Sequence, residues 1–222
     1  MLFSLSSAQN VTKKVGSGRG YFITGWSTLD VTKLNDRLTS HGYPEFSNSF
    51  ISIGGGGHVF IKNKLVIGGQ GHTLIGSEKM SGSLKSTISA GYGVFDIGYI
   101  VYSRKDLNIY PLLGFGGGGL ALKIAEDSSP AFDDILANPK RSVELNCGGF
   151  VLNLSLGIDY FVKMGEDEEG VGGLVFGLQG GYMLAPITHD WKIDENDVNG
   201  GPEIGFGGPY VKVMIGGGGR SK

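Results

Sequence analysis

Two histidines that each follow a run of glycines are the first residues in the sequence with metal-binding or proton-transfer chemistry. His58 lies in "IGGGGHVFI" and His72 lies in "IGGQGHTLI". Imidazole nitrogens ligate transition metals and exchange protons near neutral pH. Buried lysines and carboxylates form ion pairs with such groups, and the candidates are Lys85, Asp159 and Lys212. Whether these side chains meet depends on the elements that carry them.

Alternation of large apolar and small polar residues is the dominant pattern in the chain. Its longest example is "FVLNLSLGIDY" at 150–160. Successive side chains of a strand point to opposite faces, so this stretch predicts a strand with one oily face and one small polar face. About 11 residues at roughly 3.3 Å each span roughly 36 Å, which crosses a bilayer when the strand is tilted. We expect Leu152, Leu154 and Leu156 to point outward, and Asn153 and Ser155 to point inward.

Three further segments, at 84–94, 174–184 and 210–215, repeat the alternation. In a soluble sandwich the solvent face usually carries long charged residues. Here the polar parity is mostly Gly, Ser, Thr, Asn and Gln, which suits a cramped interior, and the apolar parity predicts a lipid-facing band. In the first segment, the residues expected to face outward are Leu84, Ile88, Ala90, Tyr92 and Val94.

A short polar turn joins the two glycine-rich segments that carry the histidines. If "KNK" at 62–64 is a three-residue turn, Gly54 lies opposite His72 and Gly56 lies opposite Gln70. The apolar parities of both segments then meet on one face, which supports this register. His58 and His72 are about 13 Å apart along such a sheet, too far for one metal ion. The glycines leave room for the larger polar groups opposite and let a small sheet bend.

One segment has a helical pattern. "STLDVTKLNDRLTSHGYP" places Val31, Leu34 and Leu38 on one side of a helix. A second short helix is expected in the connection at 128–141.

Short turns and long connections complete the fold prediction. Short polar turns separate some strands, whereas the connections near 126–141 and 185–203 are long, as in a barrel with turns at one end and loops at the other. The sequence therefore predicts an all-β, antiparallel up-and-down β-barrel of 8–10 strands with one short amphipathic helix near residues 28–41. Seven aromatic residues lie toward predicted strand ends, where we expect an aromatic girdle: Tyr99, Tyr102, Tyr110, Tyr160, Phe161, Tyr182 and Tyr210.

Composition bounds the domain organisation and excludes several classes. The chain has 222 residues with 41 glycines but no Gly-X-Y period, so it is not collagen. A net charge of −2 gives no footprint for nucleic acid, and Cys147 alone forms no internal disulfide. "MLFSLSSAQN" ends in a small-x-small pattern before Gln9. We expect residues 1–18 to be an export-signal remnant or a flexible N-terminus, and 19–222 to be a single β-barrel domain.

The candidate site is a polar network inside the barrel that fills it or binds a ligand. The glycine blocks are not followed by Gly-Lys-Ser/Thr, so they are not phosphate loops. No nucleophile elbow is present, and we expect no catalytic residue, no metal, no cofactor and no enzyme activity. The predicted network comprises His58, Gln70, His72, Lys85, Asn153, Asp159 and Lys212.

With "YPLLGFGGGGLAL", "GYGVFDIGYIVYS" and the strand at 150–160, the sequence resembles small bacterial outer-membrane β-barrel proteins, including a Gly-rich set of uncharacterised barrels. The resemblance implies an eight- or ten-stranded barrel and transfers no catalytic residue. We expect an outer-membrane location, a lipid bilayer or detergent as partner, self-association, and a structural, adhesive or small-ligand-binding role. The alternative is a soluble, secreted β-barrel or β-sandwich that binds an apolar ligand or forms an extracellular assembly.

Overall fold

Alternating segments of the chain form strands that close into a ring. The computed structural model describes residues 16–221, apart from residues 63, 138, 140, 141, 167, 169 and 206. In chain order the elements are β1 (Gly16–Thr28), α1 (Thr32–Thr39), β2 (Ser49–Ile61), β3 (Leu65–Ser81), β4 (Leu84–Tyr99), β5 (Tyr102–Arg104), β6 (Leu107–Glu126), α2 (Phe132–Ala137), β7 (Ser142–Glu166), β8 (Gly170–Thr188), β9 (Trp191–Ile193), β10 (Asn196–Val198) and β11 (Gly208–Ser221).

The ring consists of β1, β2, β3, β4, β6, β7, β8 and β11, and it closes because β11 pairs with β1. Every neighbouring pair is antiparallel. The three short strands lie outside the ring: β5 forms a hairpin with β6, and β9 forms a hairpin with β10. The predicted antiparallel barrel, the first helix and the second short helix are confirmed, with eight strands in the ring.

The two ends of the barrel differ. At one end, called the turn end, short connections follow β2, β4 and β7, and β1 begins where β11 finishes. At the other, called the loop end, lie the connections with α1, α2 and the β9–β10 hairpin, beside a tight β3–β4 turn. Neither helix in the described part of the chain is long and apolar enough to cross a membrane.

Paired residues followed once around the ring show how far the strands are staggered. From Ser17 the successive partners are Phe60, Val66, Gly98, Leu112, Ser155, Gly181, Tyr210 and finally Ser27. The path returns to β1 ten residues further along (27 − 17 = 10). Eight tilted strands enclose a space just wide enough for side chains to fill, so the interior is a packed core.

The outer face of the ring is apolar on all eight strands. One residue from each strand is between 43% and 59% exposed: Phe22, Ile51, Ile75, Phe95, Leu113, Leu154, Leu178 and Val211. In β7, Leu154 and Leu156 point outward while Asn153 is buried inside, as predicted. The predicted faces of the strands at 174–184 and 210–215 are also confirmed. The barrel is thus oily outside, with polar groups near its axis.

The β2–β3 hairpin has the predicted register. Gly54 pairs with His72 and Gly56 pairs with Gln70. A side chain on Gly54 would overlap the His72 ring, and one on Gly56 would overlap the Gln70 side chain. The inward glycines therefore make room for the two polar groups that cross the interior.

β4 reverses the predicted assignment of faces. Ile88, Ala90, Tyr92 and Val94 point inward and are buried, whereas the small polar parity faces outward. The reason lies in residues 29–46, here called the α1 segment, which include α1 and pack into the loop end of the barrel. Its residues Leu29, Val31, Leu34, Leu38 and Phe46 share one buried cluster with the β4 side chains. Where this segment fills the barrel, the interior is apolar and the oily face of β4 belongs inside.

The predicted terminal segment, residues 1–18, lies mostly outside the described residues. Its last three positions belong to β1, which begins at Gly16. Ser17 pairs with Phe60 on one side and with Arg220 on the other. β1 therefore already includes residues 16–18, and the division of the chain into a terminal segment and a barrel domain stays a prediction.

Candidate functional site

The barrel interior brings together six of the seven predicted site residues. The inward-pointing set, at most 5% exposed, is His58, Gln70, His72, Asn153, Asp159 and Lys212. They are arranged around two buried carboxylates, Asp96 and Asp159.

Asp96 of β4 is the first centre. Its Oδ2 accepts a hydrogen bond of 2.7 Å from Gln70 Nε2 and one of 3.3 Å from His58 Nε2. Gly114 of β6 faces this carboxylate, and a side chain there would collide with Asp96 Oδ1 and Asn153. The carboxylate is thus held by donors from β2 and β3 against a glycine of β6.

A row of polar contacts leads from Gln70 across the interior to Lys212. His72 Nε2 lies 2.9 Å from Gln70 Oε1 and 3.3 Å from Lys212 Nζ, and His72 Nδ1 lies 3.2 Å from Ser52 Oγ. With its proton on Nε2, His72 donates to Gln70. With its proton on Nδ1, it donates to Ser52 and accepts from Lys212. The ring therefore links β2 and β3 in either tautomer, and it reaches Lys212 of β11 only in the second.

Lys212 is a fully buried ammonium held by aromatic rings. Its Nζ donates to the Tyr92 hydroxyl and lies 4.9 Å and 4.1 Å from the ring centroids of Tyr92 and Tyr210. Electron-rich ring faces attract such a cation, and more strongly when water is excluded. Tyr210 in turn donates to Asn153 Oδ1 at 2.7 Å, which connects this lysine to β7.

Asp159 of β7 is the second centre and has four donors around it. It forms an ion pair with Arg19 of β1. It also accepts hydrogen bonds from Tyr110 at 3.1 Å, Asn108 Nδ2 at 3.1 Å and Tyr21 at 3.4 Å. Such a buried carboxylate requires both a counter-charge and hydrogen bonds, and it has both.

Lys85, the seventh predicted residue, is not in the network. It lies on the outward parity of β4, where its Nζ is 2.8 Å from Glu78 Oε2 of the neighbouring strand β3. The prediction was wrong for the same reason as the predicted faces of β4. The α1 segment fills the interior beside this part of β4, and the long charged side chain of Lys85 lies outside.

Asp96 and Arg19 also belong to the network, and neither was among the residues predicted from the sequence. Asp96 shares a parity with Tyr92 and Val94 in "GYGVFDIGYIVYS", and a lone carboxylate in an apolar strand is a readable signal. Arg19 stands in "GSGRGYF", where the glycines obscure the alternation.

Of the predicted girdle residues, Tyr99, Tyr102, Tyr160 and Tyr182 are exposed. The prediction was wrong for Phe161, which is buried, and for Tyr110 and Tyr210. Both tyrosines are buried inside the barrel, where their hydroxyls donate to Asp159 and Asn153.

Apolar clusters enclose the polar centres. The α1 segment and strand residues close the loop end. Toward the turn end, Phe60, Val66, Ile100, Tyr110 and Leu112 form another buried cluster. Within the described ranges, no group of three or more His, Cys, Asp or Glu side chains is placed to hold a metal ion.

A pocket of about 340 Å³ opens at the loop end between α1, β6, β7 and the β9–β10 hairpin. Its walls are mostly apolar: Leu34, Leu38, Leu122, Ile124, Leu145, Trp191 and Val198. Trp191 is buried and donates from Nε1 to Pro202 O at 2.8 Å. Gly201 lies so close to this ring that a side chain there would overlap it. A volume near 300 Å³ with apolar walls is within the range of small-molecule sites.

Polar contacts fix the elements around this pocket. Asn35 in α1 exchanges two hydrogen bonds with the backbone of Phe46, at 2.8 and 2.9 Å. Arg37 donates to Gly200 O at 3.1 Å, and Lys33 Nζ lies 2.7 Å from Glu203 Oε2. The hydrogen bond from Lys33 lowers the pKa of Glu203 below its ordinary value. These contacts join α1 to the connection that precedes β11.

An eight-stranded antiparallel barrel with an apolar outer face and a polar interior is the architecture of transmembrane β-barrels. The chain is similar in structure to solved outer-membrane proteins, the class that its sequence resembles. It matches the attachment invasion locus protein Ail of Yersinia pestis with 11% identity and a TM-score of 0.45, covering 94% of this chain and 99% of that one.

Two further solved structures match with lower scores. The outer-membrane protein OprG of Pseudomonas aeruginosa is 14% identical with a TM-score of 0.36, covering 93% and 95% of the two chains. The outer-membrane protease OmpT of Escherichia coli is 8% identical with a TM-score of 0.34, covering 94% and 95%. Likenesses this distant transfer no function, because unrelated activities share one barrel fold. No protein-family model and no curated protein matches the sequence.

Proposed function

We propose that the chain is an outer-membrane β-barrel that binds a small apolar ligand at its loop end. The observation that carries the membrane assignment is the outer face, where all eight ring strands expose large apolar side chains. Contact of such a surface with water is unfavourable by roughly 25 cal/mol per Å². A bilayer removes that contact, and a closed ring leaves no strand edge in the lipid.

Fractionation tests the membrane assignment. The folded chain is expected to sediment with membranes, to need detergent for extraction, and to migrate differently on gels before and after boiling. A folded monomer that stays in solution without detergent would overturn the proposal and favour the secreted barrel.

The ligand assignment rests on the loop-end pocket. Its apolar walls and fixed Trp191 make a preformed site, and such sites bind apolar molecules without a large reorganisation. We propose a binding role instead of a catalytic one. Asp96 and Asp159 are enclosed and contact donors of the barrel itself, out of reach of a substrate in the pocket.

Trp191 supplies a direct readout for the pocket. The chain has 2 tryptophans, and Trp26 faces outward, so Trp26→Phe leaves Trp191 as the reporter. Titration with 1-decanol is expected to change Trp191 fluorescence saturably. Ile124→Phe fills part of the pocket and should weaken the response about tenfold, whereas Ile135→Phe on α2 should leave it unchanged. An equal response in both variants would mean that decanol binds elsewhere.

A further inference from the structure

A second, polar cavity lies at the turn end, far along the barrel from the loop-end pocket. Its volume is about 100 Å³. Polar side chains from β1, the β5–β6 hairpin and β11 line it: Ser17, Arg19, Ser103, Lys105, Asn108 and Arg220. Donor groups predominate among them, in contrast to the apolar walls of the other pocket.

The charge around this cavity is positive. Three cations line it, Arg19, Lys105 and Arg220, against Asp106 of the lining and Asp159 behind Arg19, so these groups together have a charge of +1 (3 − 2 = 1). Asp106 is already shared between Arg220 at 4.0 Å and Lys163 at 3.7 Å. The cavity therefore has more positive charge than its own carboxylate neutralises.

Contacts within the barrel fix the deep wall of the cavity, and none of them involves Lys105 or Arg220. Arg19 is 92% buried (8% exposed), pairs with Asp159 behind the cavity and stacks over the Phe60 ring at 4.4 Å. Ser103 donates to Asn108 Oδ1 at 2.9 Å, and Asn108 Nδ2 donates to Asp159 at 3.1 Å. The deep part of the cavity is thus held by these contacts. Lys105, in the turn after β5, and Arg220, near the end of β11, line the rest of it.

We propose that this cavity binds one tetrahedral oxyanion, an inorganic phosphate or the phosphate of an anionic headgroup. Its volume corresponds to about three water molecules, which a five-atom oxyanion replaces but a nucleotide does not. Guanidinium groups recognise phosphate through charge-assisted hydrogen bonds. Arg220 supplies such a guanidinium and Lys105 an ammonium, beside Arg19, which is held by Asp159. In a membrane barrel, short turns face the periplasm, so the oxyanion would bind on that side.

The test uses the full chain folded in a zwitterionic detergent. Inorganic phosphate is titrated at low ionic strength by calorimetry, with chloride as background anion. Binding of one phosphate per chain is expected, and Lys105→Gln with Arg220→Gln should weaken it at least about tenfold. Lys123→Gln with Lys192→Gln is the matched control at the loop end and should bind as the wild type does.

Vesicles distinguish the two sources of phosphate. If headgroups supply it, phosphatidic acid vesicles should protect the wild type from thermal unfolding more than phosphatidylcholine vesicles do, and the Lys105/Arg220 double variant should lose this difference. Saturable binding of free phosphate without that difference assigns the site to the free ion. The proposal is overturned if neither phosphate nor phosphatidic acid vesicles separate the double variant from the wild type and the control. Neither result depends on the loop-end pocket.

Discussion

The inner and outer faces of the β2–β3 hairpin carry the same residue type for different physical reasons. On the inner face, Gly68 lies opposite His58, and a side chain on Gly68 would overlap both that ring and the backbone of β2. On the outer face, Gly55 lies opposite Gly71, and a methyl group on Gly71 would meet nothing nearer than a carbonyl oxygen at 3.9 Å. At Gly68 inside the barrel, glycine is required for space, whereas at Gly71 outside a larger residue fits.

Charged pairs on the two faces differ in the same way. The Arg19–Asp159 pair lies inside, where both side chains are at least 92% buried. The Lys85–Glu78 pair lies outside and is 38% and 51% exposed. Water stabilises the outer charges when their pair breaks, whereas the inner pair is almost completely shielded from bulk water. Position relative to the ring, and not residue type, sets the consequence of losing a partner.

The largest expected effect is removal of the inner carboxylate. Asp159→Ala leaves Arg19 buried without its counter-charge and deprives Tyr110 and Asn108 of their acceptor, so we expect a loss of roughly 3–5 kcal/mol in the free energy of unfolding. Urea unfolding in detergent, followed by gel mobility, measures it. Glu78→Gln on the outer pair should cost at most about 1 kcal/mol.

Arg19→Met combined with Asp159→Ala sharpens this comparison. Because no unpaired charge then stays buried, the double variant should recover much of the stability that Asp159→Ala loses. Equal losses for Asp159→Ala and Glu78→Gln would show that water reaches the interior.

The second expected effect separates the two kinds of glycine. Gly68→Ala should lower the free energy of unfolding by about 1–3 kcal/mol, since its methyl group forces β2 and the His58 ring to shift. Gly71→Ala on the same strand should be neutral or slightly stabilising, because alanine orders a strand at a lower entropic cost. The same urea series compares the two. Matching losses would mean that outward glycines are also required by the ring.

Local sequence signals were sufficient for the β2–β3 hairpin. A three-residue turn leaves few registers, and only one of them brings the apolar parities onto one face. The glycine positions opposite Gln70 and His72 follow from that register. Here the sequence pattern and the barrel agree because every contact involved lies within one hairpin.

Prediction from the sequence failed where segments that are far apart in the chain pack against each other. Alternation divides β4 into two faces, but it does not tell which face is inside, because that depends on the α1 segment packing against Ile88 and its neighbours. The partner of Asp159 is Arg19, 140 residues earlier (159 − 19 = 140), and no local pattern connects them. Alternation therefore identified six inward polar residues, while Arg19, the inner face of β4, the pairing of the polar groups and the loop-end pocket required the closed ring.

The smallest expected effect concerns the exposed pair Lys33–Glu203, which joins α1 to the connection before β11. The hydrogen bond between them lowers the pKa of Glu203 and raises that of Lys33. A lowered carboxylate pKa gives stability that is present above the unfolded pKa and is lost as pH falls through the folded pKa. The raised pKa of Lys33 gives stability that is lost only as pH rises through its own folded pKa.

The contribution of this pair is therefore full at neutral pH and disappears in acid. Hydrogen exchange of the α1 amides measures it locally. Lys33→Gln should make local opening of α1 slightly more favourable at pH 7, so that its amides exchange faster than in the wild type. Once acid has protonated Glu203, the variant and the wild type should exchange at the same rate. Lys123→Gln, which leaves this pair intact, should show no difference at either pH. A difference of the same size at pH 7 and in acid would mean that Lys33 acts through packing of its side chain, and the contrast between buried and exposed pairs would then not rest on charge.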